Sequence, residues 1–311
     1  MRVLSLLFCL SVWYVQAVGQ KQDNQFAWNE GQKILFLGNS ITYAGQYVAM
    51  TESLFLSSHP KKKPQFINSG LPSETVSGLS EPNHAEGKFP RPCLFDRLDN
   101  VLDKINPEVV FICYGMNDGI YLPFDSARFE AYKNGIIRLQ KRLADQGVKR
   151  IIWMTPPVQD DLKLRLNGYN KVLDRYAEWL IAYAKKHYWE VIDLHFPMRQ
   201  YLEAGIKKDP QFRLAADGVH PGELGHWLMA REIVKHLMPD FSIESTWEDN
   251  LRDKPKLRQL YALVFKRQTI MKDTWLTFTG HKRPGLAKGI PLEDALKSYD
   301  VMQEEINNLG F

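Results

Sequence analysis

The chain reads as an α/β protein: a three-layer α/β/α sandwich on a parallel five-stranded, flavodoxin-like sheet, followed by a C-terminal helical extension. Two observations predict this. Short apolar runs bounded by turn residues alternate with longer stretches of helical periodicity, the pattern of successive parallel crossovers. Three of the runs are followed directly by residues that can do chemistry, Ser40, Gly70 and Asn117. In such sheets ligands collect at the carboxyl ends of the strands, so these three are brought close in space.

The elements follow in order. Residues 33–37 form the first strand, whose unbroken apolar run Ile34-Leu35-Phe36-Leu37 suits a strand buried on both faces. A helix is predicted over 43–57, and a second strand over 65–68. Helix 92–105 leads to strand 108–113, which carries Val109-Val110-Phe111-Ile112-Cys113. Helix 126–146, strand 150–154, helix 167–187 and strand 190–194 complete the alternation. Leu224, Trp227, Leu228, Ile233 and Leu237 outline a helix over 222–237. Beyond it no strand is evident. Apolar residues at helical spacing over 250–272 and 291–309 flank a basic loop, Gly280-His281-Lys282-Arg283-Pro284-Gly285. The expected organisation is a leader over 1–19, an α/β domain over 20–240 and a helical extension over 241–311.

The leader is read from Arg2, the mostly apolar run from Val3 to Val15 and the small residues Ala17 and Gly19, the pattern of a secretory signal peptide. The run is too short to span a bilayer comfortably. Export to the periplasm or outside the cell is expected, without stable membrane insertion. The 311 residues are 44% apolar and carry a formal charge of +4, reduced by one if Arg2 leaves with the leader. That modest charge gives no reason to expect nucleic acid, and Lys61-Lys62-Lys63 reads as a solvated loop. Of three cysteines, Cys9 falls in the leader, and whether Cys93 and Cys113 pair is open.

Four segments carry chemistry. Ser40, just past the first strand, suits a nucleophile, although Ser40 or Thr42 at that place also suits a helix cap. Asn117 follows the third strand, and its amide can donate to a developing oxyanion as an ionised carboxylate cannot. Gly70 can bring a backbone NH close to a ligand because it lacks a side chain. Each of these two also fits ordinary turn chemistry. Asp217 and His220 stand three apart before Pro221, so one loop can hold a base and the carboxylate that orients it. Local hydrogen bonding is the plainer reading of that pair. A metal set of His220, Glu223 and His226 is a rival, weakened by Pro221 and Gly222 early in the helix.

Together, Gly38-Asn39-Ser40-Ile41-Thr42, Asn68-Ser69-Gly70, Gly115-Met116-Asn117-Asp118 and Asp217-Gly218-Val219-His220-Pro221 resemble the SGNH hydrolase family, the GDSL esterases and lipases. The resemblance runs in the family's order over about residues 33–237. It implies Ser40 as nucleophile, His220 as base, Asp217 as third triad member, and Ser40, Gly70 and Asn117 as the oxyanion hole. It also implies a serine esterase without cofactor or metal. One residue departs from the pattern: Asn39 stands where the family usually has Asp, so altered loop hydrogen bonding with retained catalysis is expected. An exported enzyme of this size resembles carbohydrate O-acetyl esterases acting on oligosaccharide or polysaccharide esters, with lipase, lysophospholipase or thioesterase as the alternative. Tyr43, Tyr121, Tyr169 and Trp275 are candidates to stack on sugar rings or to pack in the core. His281-Lys282-Arg283 would meet an acidic sugar if the extension reaches the site. Oligomeric state is not legible.

Overall fold

The computed structural model describes residues 27–160, 163–164 and 167–311; the expected leader lies outside the described residues. Its five strands are β1 (Lys33–Gly38), β2 (Gln65–Gly70), β3 (Val109–Cys113), β4 (Arg150–Met154) and β5 (Glu190–Ile192). They form one sheet in the order β2-β1-β3-β4-β5, with every neighbouring pair parallel. Successive side chains of a strand point to opposite faces, yet Ile34, Leu35, Phe36 and Leu37 are all fully buried, so both faces of β1 are covered. Phe36 stacks on Phe111 with ring centroids 4.7 Å apart, tying the two central strands through one face. Gly38 is in register with both Gly70 and Cys113. The three strands therefore end at one level, and the loops that follow leave the sheet from the same edge.

Helices α1 (Ser40–Ala44), α2 (Gln46–Ser58), α3 (Leu98–Ile105), α4 (Ser126–Asp145), α5 (Asn170–His187), α6 (His195–Lys208) and α7 (Glu223–Leu237) complete the sandwich. The helix expected over 43–57 starts earlier and breaks at Gly45, which sits at φ 82° between α1 and α2. The helix expected from 92 starts only at Leu98. Thr75 exchanges backbone hydrogen bonds with Pro92 and Leu94 at 3.0 Å each, which holds that stretch extended. Helix α6 was not among the expected helices, and it carries Pro197 in its first turn. Proline is tolerated in a first turn, where no intrahelical donor is needed. The free NH groups of Leu194 and His195 donate instead to Thr155 Oγ1, at 2.8 and 2.9 Å.

After α7 the chain forms α8 (Trp247–Leu251), α9 (Pro255–Thr279) and α10 (Leu292–Asn308). Helix α9 packs against α2, α10 and β2. As β2 is an edge strand, its outer carbonyls need cover, and Gln268 Nε2 donates to Phe66 O at 3.0 Å. Arg267 on the same helix forms a fully buried ion pair with Glu52 of α2, Nη2 to Oε1 2.6 Å. Gly289, on the way to α10, lies against α9: a Cβ there would stand 2.2 Å from the Thr274 backbone nitrogen. No described helix is long and apolar enough to cross a membrane. Cys93 and Cys113 are both free thiols, and burial pushes the Cys113 thiol up to about 12.

Candidate active site

Gly38 ends β1 and Asn39 caps α1, its Oδ1 accepting from Ile41 N at 3.1 Å. An amide oxygen makes this bond as an aspartate oxygen would, so the cap survives the replacement noted above. Ser40 is therefore the first residue of α1, at the level where three strands end. His220 Nε2 is 2.8 Å from Ser40 Oγ, across 180 residues of sequence. The other ring nitrogen, Nδ1, is 2.6 Å from Asp217 Oδ2. A carboxylate only accepts, so Nδ1 carries the proton and Nε2 is left as the acceptor for the serine hydroxyl. Asp217 Oδ1 in turn accepts from the backbone NH groups of Val219 (2.9 Å) and His220 (2.8 Å). Burial pushes the Asp217 carboxyl up, but the hydrogen bonds from His220 and Val219 outweigh it and hold the carboxyl below its usual range. The site is open: the His220 and Asp217 side chains are 48% and 56% exposed.

Asn117 is buried, and its orientation is fixed from both ends. Nδ2 donates to Glu74 O at 3.1 Å, and Oδ1 accepts from Tyr121 OH at 2.9 Å. One amide hydrogen remains for a ligand. The neighbouring Asp118 is fully buried and clamps two loops together. Its Oδ1 accepts from Val76 N (2.9 Å) and Ser77 N (2.8 Å), and its Oδ2 accepts from Gly115 N (2.9 Å). Burial raises the Asp118 carboxyl despite these bonds. Below the clamp, Arg97 grips Glu74 through Nε–Oε1 at 2.6 Å and Nη2–Oε2 at 2.7 Å, and binds Ser69 O at 2.8 Å.

Gly70 sits against the backbone that carries the nucleophile. Its NH donates to Asn68 Oδ1 at 2.9 Å, so it is engaged within its own loop. What the position needs is absence of a side chain: a Cβ would lie 2.3 Å from Tyr43 N and 2.9 Å from Asn39 O, inside the backbone that carries Ser40. Gly70→Ala is therefore expected to displace α1 and lower turnover at least tenfold, with loss of thermal stability; wild-type kinetics from the purified variant would contradict this. A second backbone NH lies three residues on, at Ser73. Leu71-Pro72-Ser73-Glu74 is a turn closed by Glu74 N donating to Leu71 O at 3.1 Å, with Ser73 at φ 69°. Proline second and a left-handed residue third is type II geometry. The Ser73 NH has no hydrogen-bond partner among the described residues. Glu74, the next residue, is the one that holds Asn117. In the sequence, Pro72 is the mark of that turn.

The other named residues separate. Tyr169 and Trp275 are buried in the core, Tyr169 OH donating to Met116 O at 3.0 Å. Tyr121 is the positioning partner of Asn117 and lines a cavity of about 430 Å³ with Phe124, Gln159 and Arg175. The rival metal set does not converge: His226 is buried and stacked on Tyr47, while both nitrogens of His220 are engaged by Ser40 and Asp217. Among the described residues no three His, Cys, Asp or Glu side chains gather as a metal site would require.

Comparison with known proteins gives one consistent picture. A family model described as GDSL-like lipase/acylhydrolase matches residues 36–228. An acetylxylan esterase of Geobacillus stearothermophilus is 25% identical over 236 residues, covering 67% of this chain and 94% of that protein. The solved structure of Axe2, an acetylxylan esterase from that organism, is similar with a TM-score of 0.52 at 23% identity, over 69% of this chain and 97% of that one. A gut microbial diltiazem-metabolizing enzyme gives a TM-score of 0.54 at 23% identity over 68% of this chain, which spans only 48% of that protein's length. At these identities the structural likeness is one of fold.

Proposed function

This chain belongs to the GDSL-like lipase/acylhydrolase family, and from that premise we propose that it is a serine esterase that removes O-acetyl groups from carbohydrates through an acyl-enzyme. The observation that carries the proposal is the unbroken relay from Ser40 Oγ to His220 Nε2, and from His220 Nδ1 to Asp217. In the reading proposed, Ser40 Oγ attacks the ester carbonyl carbon as His220 takes the hydroxyl proton. The oxyanion is received by the free Asn117 amide hydrogen and the NH groups of Ser40 and Ser73. As the intermediate collapses, the bond from the carbonyl carbon to the sugar oxygen breaks and His220 gives its proton to that oxygen, which departs as the free sugar hydroxyl. Water, deprotonated by His220, attacks the acyl-serine, and acetate leaves with Ser40 restored.

The acetyl assignment rests on the acetylxylan esterase relative, which covers nearly its whole length with this chain. Export is part of the same proposal and rests on residues 1–19 alone. The test is acyl-chain selectivity on matched 4-nitrophenyl esters together with acetate release from acetylated xylo-oligosaccharides. Acetyl is expected to exceed octanoyl in kcat/KM by at least tenfold, with acetate released from the oligosaccharide. A reversed preference and no acetate would favour a lipase of the same family and remove the carbohydrate reading.

A further inference from the structure

The loop between α9 and α10 reaches the rim of the candidate site and places there a half-buried cation, Arg283, that no anion matches. Arg283 Nε donates to Pro72 O at 3.0 Å, directly before Ser73, and Nη1 donates to Pro284 O at 2.8 Å. Its guanidinium lies over the Phe89 ring, 5.3 Å from the centroid. Among the described residues no carboxylate is within ion-pair distance of it, and Nη2 has no partner. Three neighbouring cations are paired with carboxylates. Arg91 is held by Glu81 through two bonds of 2.7 Å, Arg97 by Glu74, and Lys282 by Asp96 at 3.4 Å. On the facing side Lys272 Nζ donates to Tyr43 O at 3.2 Å, and the adjacent Asp273 accepts from Tyr43 OH at 2.8 Å. Tyr43 lies one helical turn after Ser40, so the extension touches both α1 and the Ser73 turn.

A half-buried guanidinium bonded only to backbone carbonyls has given up water without gaining a counter-charge, which costs free energy unless a ligand supplies one. Burial indeed pulls the Arg283 guanidinium down, offset only by Tyr43. Guanidinium bonds to carboxylates are short, strong and directional. We propose that Arg283 is a substrate-positioning residue that selects O-acetylated glycans bearing a carboxylate, as a uronic acid does, near the ester. This rests on the carbohydrate esterase reading. The carboxylate would take the free Nη2 edge while the ester lies between Ser40 and Asn117. The extension is then a wall of the substrate site, and the charge it contributes sets which decorated glycan is preferred.

The experiment compares kcat/KM on acetylated xylo-oligosaccharides with and without a glucuronosyl substituent, for wild type, Arg283→Met and Arg283→Lys. Wild type is expected to prefer the acidic substrate about tenfold, the order that one charge-assisted hydrogen bond supplies. Arg283→Met should bring that ratio close to one, mainly through KM on the acidic substrate, and Arg283→Lys should retain part of it. Raising the salt to about 0.5 M should compress the wild-type ratio. A residue that only braces Pro72 would lower both substrates alike and leave the ratio intact. A wild-type ratio near one, or a ratio that survives Arg283→Met, overturns the inference alone. No acetate from either glycan, with 4-nitrophenyl acetate still hydrolysed, overturns the carbohydrate reading and this inference with it.

Discussion

Ser40→Ala and His220→Ala are each expected to lower ester turnover by on the order of 10⁴-fold or more, and the double variant by little beyond that. The reason is geometric. The two side chains meet at 2.8 Å and act as one unit, since the hydroxyl is a weak nucleophile until the imidazole accepts its proton. Removing either member removes the whole route, so the losses do not add. Asp217→Ala should cost less than either, because its carboxylate is more than half exposed and water can replace part of what it gives the ring. Asn117→Ala removes one oxyanion donor and should cost about 10²-fold in kcat. A fluorophosphonate should label wild type at Ser40, label His220→Ala far more slowly and leave Ser40→Ala unmodified. Wild-type hydrolysis by Ser40→Ala would sink the assignment, and so would labelling at another serine. Ser40, Asp217 and His220 lie at the open mouth of the sheet, so melting temperatures near wild type are expected for their variants and separate chemistry from folding, whereas Asn117→Ala strands Glu74 O and Tyr121 OH and should melt lower.

The relay is legible in the sequence for a physical reason. Strands β1 and β3 each carry an unbroken apolar run, and parallel strands in register place the residues after them at one edge. Ser40 and Asn117 needed only that rule. Asp217 and His220 needed a second one, that an Asp and a His three apart before a proline sit in one loop. Gly70 shows where such reasoning stops. Gly70 carries the usual mark of a residue that approaches a ligand, but what it approaches is the protein's own α1 backbone, a contact made across 27 residues that no local pattern reveals. Ser73 lacks that mark because its left-handed conformation is imposed by Pro72 and by the closed turn. Helix α6 was hidden for a similar reason: the partner that satisfies its first NH groups, Thr155, comes from the end of another strand. Sequence periodicity reports which face of an element is buried. It does not report which loop will supply a missing hydrogen bond.

The second large effect lies far from the serine, in the ion pair that fastens the extension. Glu52 and Arg267 are both about 1% exposed, and Glu52 also accepts from Gln268 Nε2 at 2.7 Å. Arg267→Met leaves Glu52 buried and without its cation, which is expected to destabilise the fold by about 3–5 kcal/mol. For a chain of this size that is a fall in melting temperature on the order of 10 °C. The pH dependence has a definite sign. Burial raises the Glu52 carboxyl above its usual 4.5, while the charge of Arg267 and the hydrogen bonds from Gln268 and Arg267 hold it down in part. Without Arg267 it rises further, so the folded variant binds a proton more tightly than the unfolded chain does. Stability from that proton is present at low pH and lost as pH rises from the unfolded value near 4.5 through the folded one. The deficit of Arg267→Met should therefore be greatest near pH 7 and shrink towards pH 5; a deficit that grows on acidification would contradict this account. Glu52→Leu combined with Arg267→Met should recover most of the loss, since replacing both members of a buried pair removes the stranded charge. Lys272 and Asp273, which touch Tyr43 beside the serine, follow Arg267 on the same helix. Loosening α9 should accordingly lower turnover as well as stability, and the double variant should restore both together if the extension supports the site through that one helix.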